Sequence, residues 1–224
     1  MSYSPELVLN RTRDARLGAY LEGKGVRVSN PSAVSFPGND KWKAFCLAKR
    51  LGLPVMETFR LFPENIGNPV KKPPFPLVLK SRSGHGGTEV FLIRNESELK
   101  ERLDDPELAG RRWILQRLSD TPGKDVRVYI IGGKIAAAVL RTNKEDFRSN
   151  FSLGGQVKLY TLSEDEKRLV RRLTDVVNID FCGIDFVFHE GRPVFNELED
   201  MAGSRSLYAL TDRDIAGEYV SYLL

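Results

Sequence analysis

Apolar positions in this chain come in short bursts, and their spacing switches between two residues and three to four. Continuous or alternating bursts read as strands, and a spacing of three to four reads as a helix. Residues 7–10 (LVLN) and 26–30 (VRVSN) predict short strands around a helix over 16–25, which Gly23 and Gly25 end. Residues 31–40 (PSAVSFPGND) are rich in turn formers and read as a linker. A helix over 40–50 follows, with Trp42, Phe45 and Cys46 on one face as core, and Gly52 and Pro54 stop it. Residues 63–74 (PENIGNPVKKPP) read as a loop.

The rest of the chain reads as hairpins alternating with helices. A nearly all-apolar strand over 76–81, the turn SGHGG and a strand from Glu89 make a hairpin with a glycine-rich tip. Asn95 with Glu98, and Ser163 with Glu166, are capping boxes that open two helices, the second running through Val177. WILQRL (113–118) is a strand, and DVRVYIIGGKIAAAVLRT (125–142) a hairpin turning at Gly132 and Gly133. A polar loop over 143–155 precedes the second capped helix. GIDFVFHEGRPVFNELED (183–200) turns near Gly191, and residues 212–224 close as an amphipathic helix. Hairpins alternating with helices predict antiparallel sheets with packed helices, an α+β fold.

Composition narrows the classes. With 41% hydrophobic and 29% charged residues over 224 positions, the chain has enough apolar surface to fold, which excludes dominant disorder. No apolar run approaches the ~20 residues that span a bilayer, so no membrane partner is expected. The N-terminus MSYSPELVLNRTRD lacks a basic start followed by an apolar core, so no signal peptide is read. Two cysteines, Cys46 and Cys182, in unrelated contexts read as buried thiols without a role, in a cytoplasmic protein. The net charge of +4 conceals an asymmetry: residues 1–150 carry +9 and residues 151–224 carry −5. That suits an anionic ligand held against metal-binding carboxylates. Nucleic acid is the rival partner, but no dense Lys/Arg run supports it.

The last hairpin is the most informative chemically. If it turns at Gly191, Asp185 lies across from Glu197, and Glu199 shares their face. Three carboxylates on one face suit a hard divalent cation; a solvated acidic strand face is the other reading of the same spacing. The turn 83–87 follows Lys80, and such a turn can cradle phosphate through backbone N–H groups or be an ordinary flexible tip. In DFRSN (146–150), Arg148 can clamp a phosphate or carboxylate bidentately, or sit on a capped turn. His85 reads as plain loop.

Taken in order, these segments resemble the ATP-grasp superfamily, and within it the RimK type of carboxylate–amine ligase, over about residues 39–206. The series is a DK-start helix, a VLK strand, a glycine-rich turn, a QRL strand, the hairpin 125–142, the DFRSN loop and GIDF…NELED. The resemblance implies two α+β lobes gripping ATP between antiparallel sheets. It implies a reduced or truncated pre-grasp segment over 1–38, a small lobe over 39–117 and a large lobe over 118–224. It further implies an acyl phosphate formed with ATP and captured by an amine, with Mg²⁺, or Mn²⁺ in its place, on the phosphates. A non-catalytic nucleotide-binding module is the alternative. By position, Lys41 and Lys80 match phosphate-holding lysines, and Gly84, Gly86 and Gly87 the loop that closes over the triphosphate. Gln116, Arg117 and Leu118 match the linker that meets adenine, and Asp125 an acidic position near the nucleotide. Arg148 and Asn150 match residues at the γ-phosphate and acyl phosphate, and Asp185, Glu197 and Glu199 the metal ligands. Arg127, and secondarily Arg205, match groups that hold a substrate carboxylate.

The chain departs from the family pattern in three places. Arg117 replaces an acid, Glu199 replaces an asparagine, and 200–205 (DMAGSR) replaces a small-residue–Pro–Gly turn. The reduced N-terminal part leads to the further expectation of a second copy covering exposed apolar surface.

Overall fold

Two antiparallel sheets face each other, and most of the chain serves to build them. The computed structural model describes residues 5–62, 72–151 and 154–224. Most of the predicted loop 63–74, and Ser152 and Leu153 of the polar loop, lie outside the described residues.

The chain begins with a small parallel pair, β1 (Leu7–Leu9) and β2 (Arg27–Ser29), joined by α1 (Ala15–Glu22). Two helices follow, α2 (Ser32–Gly38) and α3 (Lys41–Arg50). The first sheet has four strands: β3 (Thr58–Leu61), β4 (Leu77–Ser81), β5 (Val90–Ile93) and, after α4 (Glu96–Leu103), β6 (Trp113–Arg117). Their order is β3-β6-β4-β5, antiparallel throughout. The second sheet takes β7 (Lys124–Ile131), β8 (Lys134–Thr142) and β9 (Gln156–Leu159), then β10 (Phe181–His189) and β11 (Arg192–Glu199) after α5 (Glu164–Thr174). Its order is β11-β10-β7-β8-β9, also antiparallel. Two helices close the chain, α6 (Arg205–Tyr208) and α7 (Ile215–Leu223).

Period-two alternation decides what each sheet face meets. On β7, Val126, Val128 and Ile130 point into a core shared with Ala44 and Ala48 of α3, and Val170 and Leu173 of α5. Asp125, Arg127 and Tyr129 point the other way. There α6 and α7 cover the Tyr129 end through Leu207 and Ile215, while the Asp125 end opens toward the four-stranded sheet. That smaller sheet packs Leu77, Leu79, Leu115 and Trp113 under Leu99 of α4, and turns Val78, Lys80 and Gln116 toward the opening. Each large side chain so buried contributes about 1.5–3 kcal/mol.

Several sequence expectations need correction. Residues 31–40 are not a linker: α2 forms there because Val34, Ser35 and Pro37 are buried, which outweighs the turn-forming composition. On α3 the buried face is Lys41, Ala44 and Ala48; Trp42 and Phe45 are half-buried and pair with each other, ring centroids 5.3 Å apart. Cys46 is exposed, and only Cys182 is buried. The capping box at Ser163 forms completely, but at Asn95 the Glu98 carboxylate accepts from Arg94 N, one residue earlier. Helix α5 ends at Thr174 rather than at Val177. Among the described residues, no helix is long and apolar enough to cross a membrane.

Candidate active site

The facing sheets enclose a cleft, partly open to solvent, whose empty space of about 850 Å³ includes that opening. Apolar walls come from both sheets: Met56, Val78 and Val90 on one side, Val187 on the other. The cleft gathers most of the residues singled out in the sequence. Lys41, Lys80, Gly86, Gly87, Gln116, Arg117, Leu118, Asp125, Arg127, Arg148, Asn150, Asp185, Glu197 and Glu199 all line it. Gly84 stands behind the lining, its carbonyl accepting from Lys41 Nζ at 2.5 Å. Arg205 lies apart, exposed at the start of α6.

Local structure explains how the cations are placed. Asp40 caps α3 by accepting from Trp42 N and Lys43 N, and it also takes both prongs of Arg82, at 3.1 and 2.6 Å. Lys41 N donates to Arg82 O at 2.8 Å. The start of α3 is thereby fixed to the end of β4, and Lys41 Nζ reaches Glu197 at 2.7 Å. Lys80 is 8% exposed and donates to Gln116 Oε1 at 2.6 Å and to Asn196 Oδ1 at 2.8 Å. Burial pushes its ammonium down to about 8, partly offset by Glu197.

The carboxylates sit where the hairpin reading put them: Asp185 pairs with Glu197, and Gly183 with Glu199. Each is matched by a cation. Arg127 holds Asp185 with two bonds, at 2.8 and 2.7 Å, and touches Glu199. Arg141, which sequence reasoning missed, holds Asp125 with two bonds, at 2.7 and 2.6 Å, and Asp185 at 2.8 Å. Burial pushes Asp185 up, but Arg127 and Arg141 outweigh it and leave the carboxyl well below its usual range. Burial dominates at Glu199 and raises it. Among the described residues, no three or more His, Cys, Asp or Glu side chains converge as a ready metal cage. The donor set is nonetheless all oxygen, as a hard cation requires. Glu197 and Glu199 keep 24% of their side chains exposed, whereas Asp185 is committed to two arginines.

At the mouth, Asp146 accepts from Arg148 Nε and Nη2, and Arg148 Nη1 donates to Gly87 O at 2.8 Å. The loop after β8 thus touches the glycine-rich turn. His85, read as plain loop, lines the cleft as well. A cleft with cations at its mouth and centre and carboxylates along one wall can hold a polyanion together with a divalent cation. Asn196 was also missed; β11 carries a bulge opposite Asp185 and Phe186, so that Asn196 and Glu197 both face the cleft.

Comparisons with known proteins agree with this architecture. A family model described as a RimK-like ATP-grasp domain matches residues 38–223. An uncharacterized protein of Mycoplasma genitalium is 30% identical over 207 residues, covering 92% of this chain and 69% of its own. A probable alpha-L-glutamate ligase of Vibrio vulnificus is 27% identical over 206 residues, covering 90% of this chain and 68% of its own. A solved RimK-domain ATP-grasp protein from Sphaerobacter thermophilus superposes with a TM-score of 0.73 at 21% identity, covering 97% of this chain and 79% of that one.

Proposed function

This chain belongs to the RimK-like ATP-grasp family, and from that premise we propose that it is an ATP-dependent, ADP-forming carboxylate–amine ligase acting on an amino acid or peptide. The observation that carries the reading is the cleft itself, where Lys41, Lys80 and Arg148 lie with Asp185, Glu197 and Glu199 between two sheets. In this reading the two lysines and Arg148 bind and orient the phosphates. Gln116, Arg117 and Leu118 border the base. Glu197 and Glu199 would hold Mg²⁺, with Asp185 behind them anchoring Arg127. When bound, Mg²⁺ offsets the negative charge of the triphosphate. A substrate carboxylate oxygen attacks the γ-phosphorus as the bond to ADP breaks. The amine nitrogen then attacks the acyl carbon, phosphate leaves and the nitrogen loses a proton, giving an amide. Arg148 and Asn150 border the transferring group, and Arg127 and the exposed Arg205 are the guanidinium candidates for the substrate carboxylate. The proposed lobes are residues 39–117 and 118–224, with α3 packed on the larger sheet. A cytoplasmic location is part of the proposal, in keeping with the free, exposed thiol of Cys46.

The test is ADP release across pairs of amino acids and short peptides, run beside thermal melting. MgATP should raise the melting temperature by mass action, and Glu197→Gln should lose most of that rise and most of the turnover while keeping its unliganded melting temperature. A magnesium-dependent rise with no ADP release for any pair would favour a non-catalytic nucleotide module. No rise at all would overturn both readings.

A further inference from the structure

The bulge in β11 supplies a cleft residue to which the proposed mechanism gives no task. In a regular hairpin, neighbouring side chains alternate between core and cleft. Here Phe186 pairs with Phe195 and Asp185 with Glu197, so Asn196 is the extra residue. Bulges re-aim side chains in this way. Asn196 and Glu197 both face the cleft, while Phe195 and Leu198 remain in the core. Asn196 Oδ1 accepts from Lys80 Nζ at 2.8 Å, a bond that runs from one sheet to the other. On its far side Lys80 is tied into its own sheet. It donates to Gln116 Oε1 at 2.6 Å, Gln116 Nε2 donates to Thr58 Oγ1 at 3.2 Å, and Thr58 Oγ1 donates to Met56 O at 2.9 Å. An ammonium has three N–H donors. Among the described residues, two are directed to oxygens held by the sheets, and one remains.

We propose that Asn196 is a positioning residue: it holds Lys80 across the cleft so that the remaining donor meets a nucleotide phosphate. The proposal rests on the nucleotide reading above. An amide suits the task because it accepts from the lysine without bringing negative charge beside the phosphates, as a carboxylate there would. The charged groups that face Lys80 are Glu197 on β11, Lys41 on α3, Asp125 on β7 and Asp185 on β10.

A double-mutant cycle read by calorimetry with MgADP tests it, using wild type, Asn196→Ala, Lys80→Met and the pair, with Asn196→Ser as a second, polar variant. Asn196→Ala should weaken MgADP about tenfold, the effect of one hydrogen bond to a charged group. In the Lys80→Met background the same change should alter affinity less than twofold. An equal loss in both backgrounds, or no loss in the first, would overturn the proposal. Titrating Lys80 by NMR in the nucleotide-free protein separates the two layers. Loss of the Asn196 acceptor should lower its apparent pKa, because that bond favours the charged form, and an unmoved titration would overturn the hold. A wild type that fails to bind MgADP would overturn the nucleotide reading and with it the phosphate role of Lys80, whatever the titration shows.

Discussion

Arg141 binds two buried carboxylates at once, Asp125 through both prongs and Asp185 through one. Removing it strands Asp125 in a poorly solvated wall and leaves Asp185 to Arg127 alone. Arg141→Leu should therefore lose about 3–5 kcal/mol of stability, read as a lower urea midpoint, the usual size for breaking a buried pair from one side. Arg141→Lys should recover only part, because an ammonium cannot reproduce the bidentate fork. Asp185 links the same cluster to pH. Its folded carboxyl lies below the ordinary value of about 3.9, so the stability it contributes is full above about pH 4 and is lost as pH falls further. The acid arm of the wild-type stability curve should be steep there, and Arg141→Leu should flatten it. A turn centred on Gly191 made Asp185, Glu197 and Glu199 legible as one face, but His189 in fact pairs with Arg192, and it is the extra residue Asn196 that brings Glu197 opposite Asp185. Arg141 was not legible, since an arginine near the end of a hairpin reads as surface charge until β10 is known to lie beside β7.

At the scale of elements, one glycine fixes the loop that carries Arg148. Gly123 has φ of +73°, and a Cβ there would stand 2.2 Å from Asn143 O and 2.7 Å from Asp146 O. Its N–H donates to Phe147 O, and its carbonyl accepts from Asn143 N, both at 2.7 Å. The entry to β7 and the loop after β8 are thereby joined. Gly123→Ala should cost about 1–3 kcal/mol through backbone strain and the clash, and should move Arg148 away from Gly87. ADP release should fall more than the lost stability accounts for, measured at a temperature where the variant is fully folded. Hairpins and capped helices were readable because turn glycines and cap residues act locally. Helix α2 was not, since Pro31, Pro37 and Gly38 argue against a helix and burial of Val34 decides for one. Strand β9 was missed because its alternation, Gln156-Val157-Lys158-Leu159, lasts only four residues and is half-buried at most, so pairing with β8 defines it.

At the scale of the molecule, the N-terminal segment is stitched to the chain's far end. Asn30 Oδ1 accepts from Asp180 N at 3.1 Å and Phe181 N at 2.8 Å, and Asn30 Nδ2 donates to Asp200 Oδ1 at 2.7 Å. Asn39 Nδ2 donates to Asp200 Oδ2 at 2.8 Å, and Arg27 Nη1 to Leu223 O at 2.9 Å. Asn30→Ala strands several buried groups and should lower the denaturation free energy by at least about 2 kcal/mol. A change under about 0.5 kcal/mol would mark the segment as detachable. The strand–helix–strand pattern was visible in the sequence; its docking was not, because a buried asparagine serving distant backbone has no local signature.

The order of the larger sheet also bears on the history of each molecule. Strand β10 is inserted between β11 and β7. During synthesis β7 and β8 emerge first, and until β10 arrives β7 offers a bare edge to any passing strand. Over the same interval Arg127 and Arg141 lack Asp185, and the carboxylate wall does not exist. The cleft proposed for the nucleotide is therefore complete only once the last hairpin has left the ribosome. A chain stalled at that point carries an exposed pairing edge, an aggregation hazard that lasts until the final hairpin closes over β7.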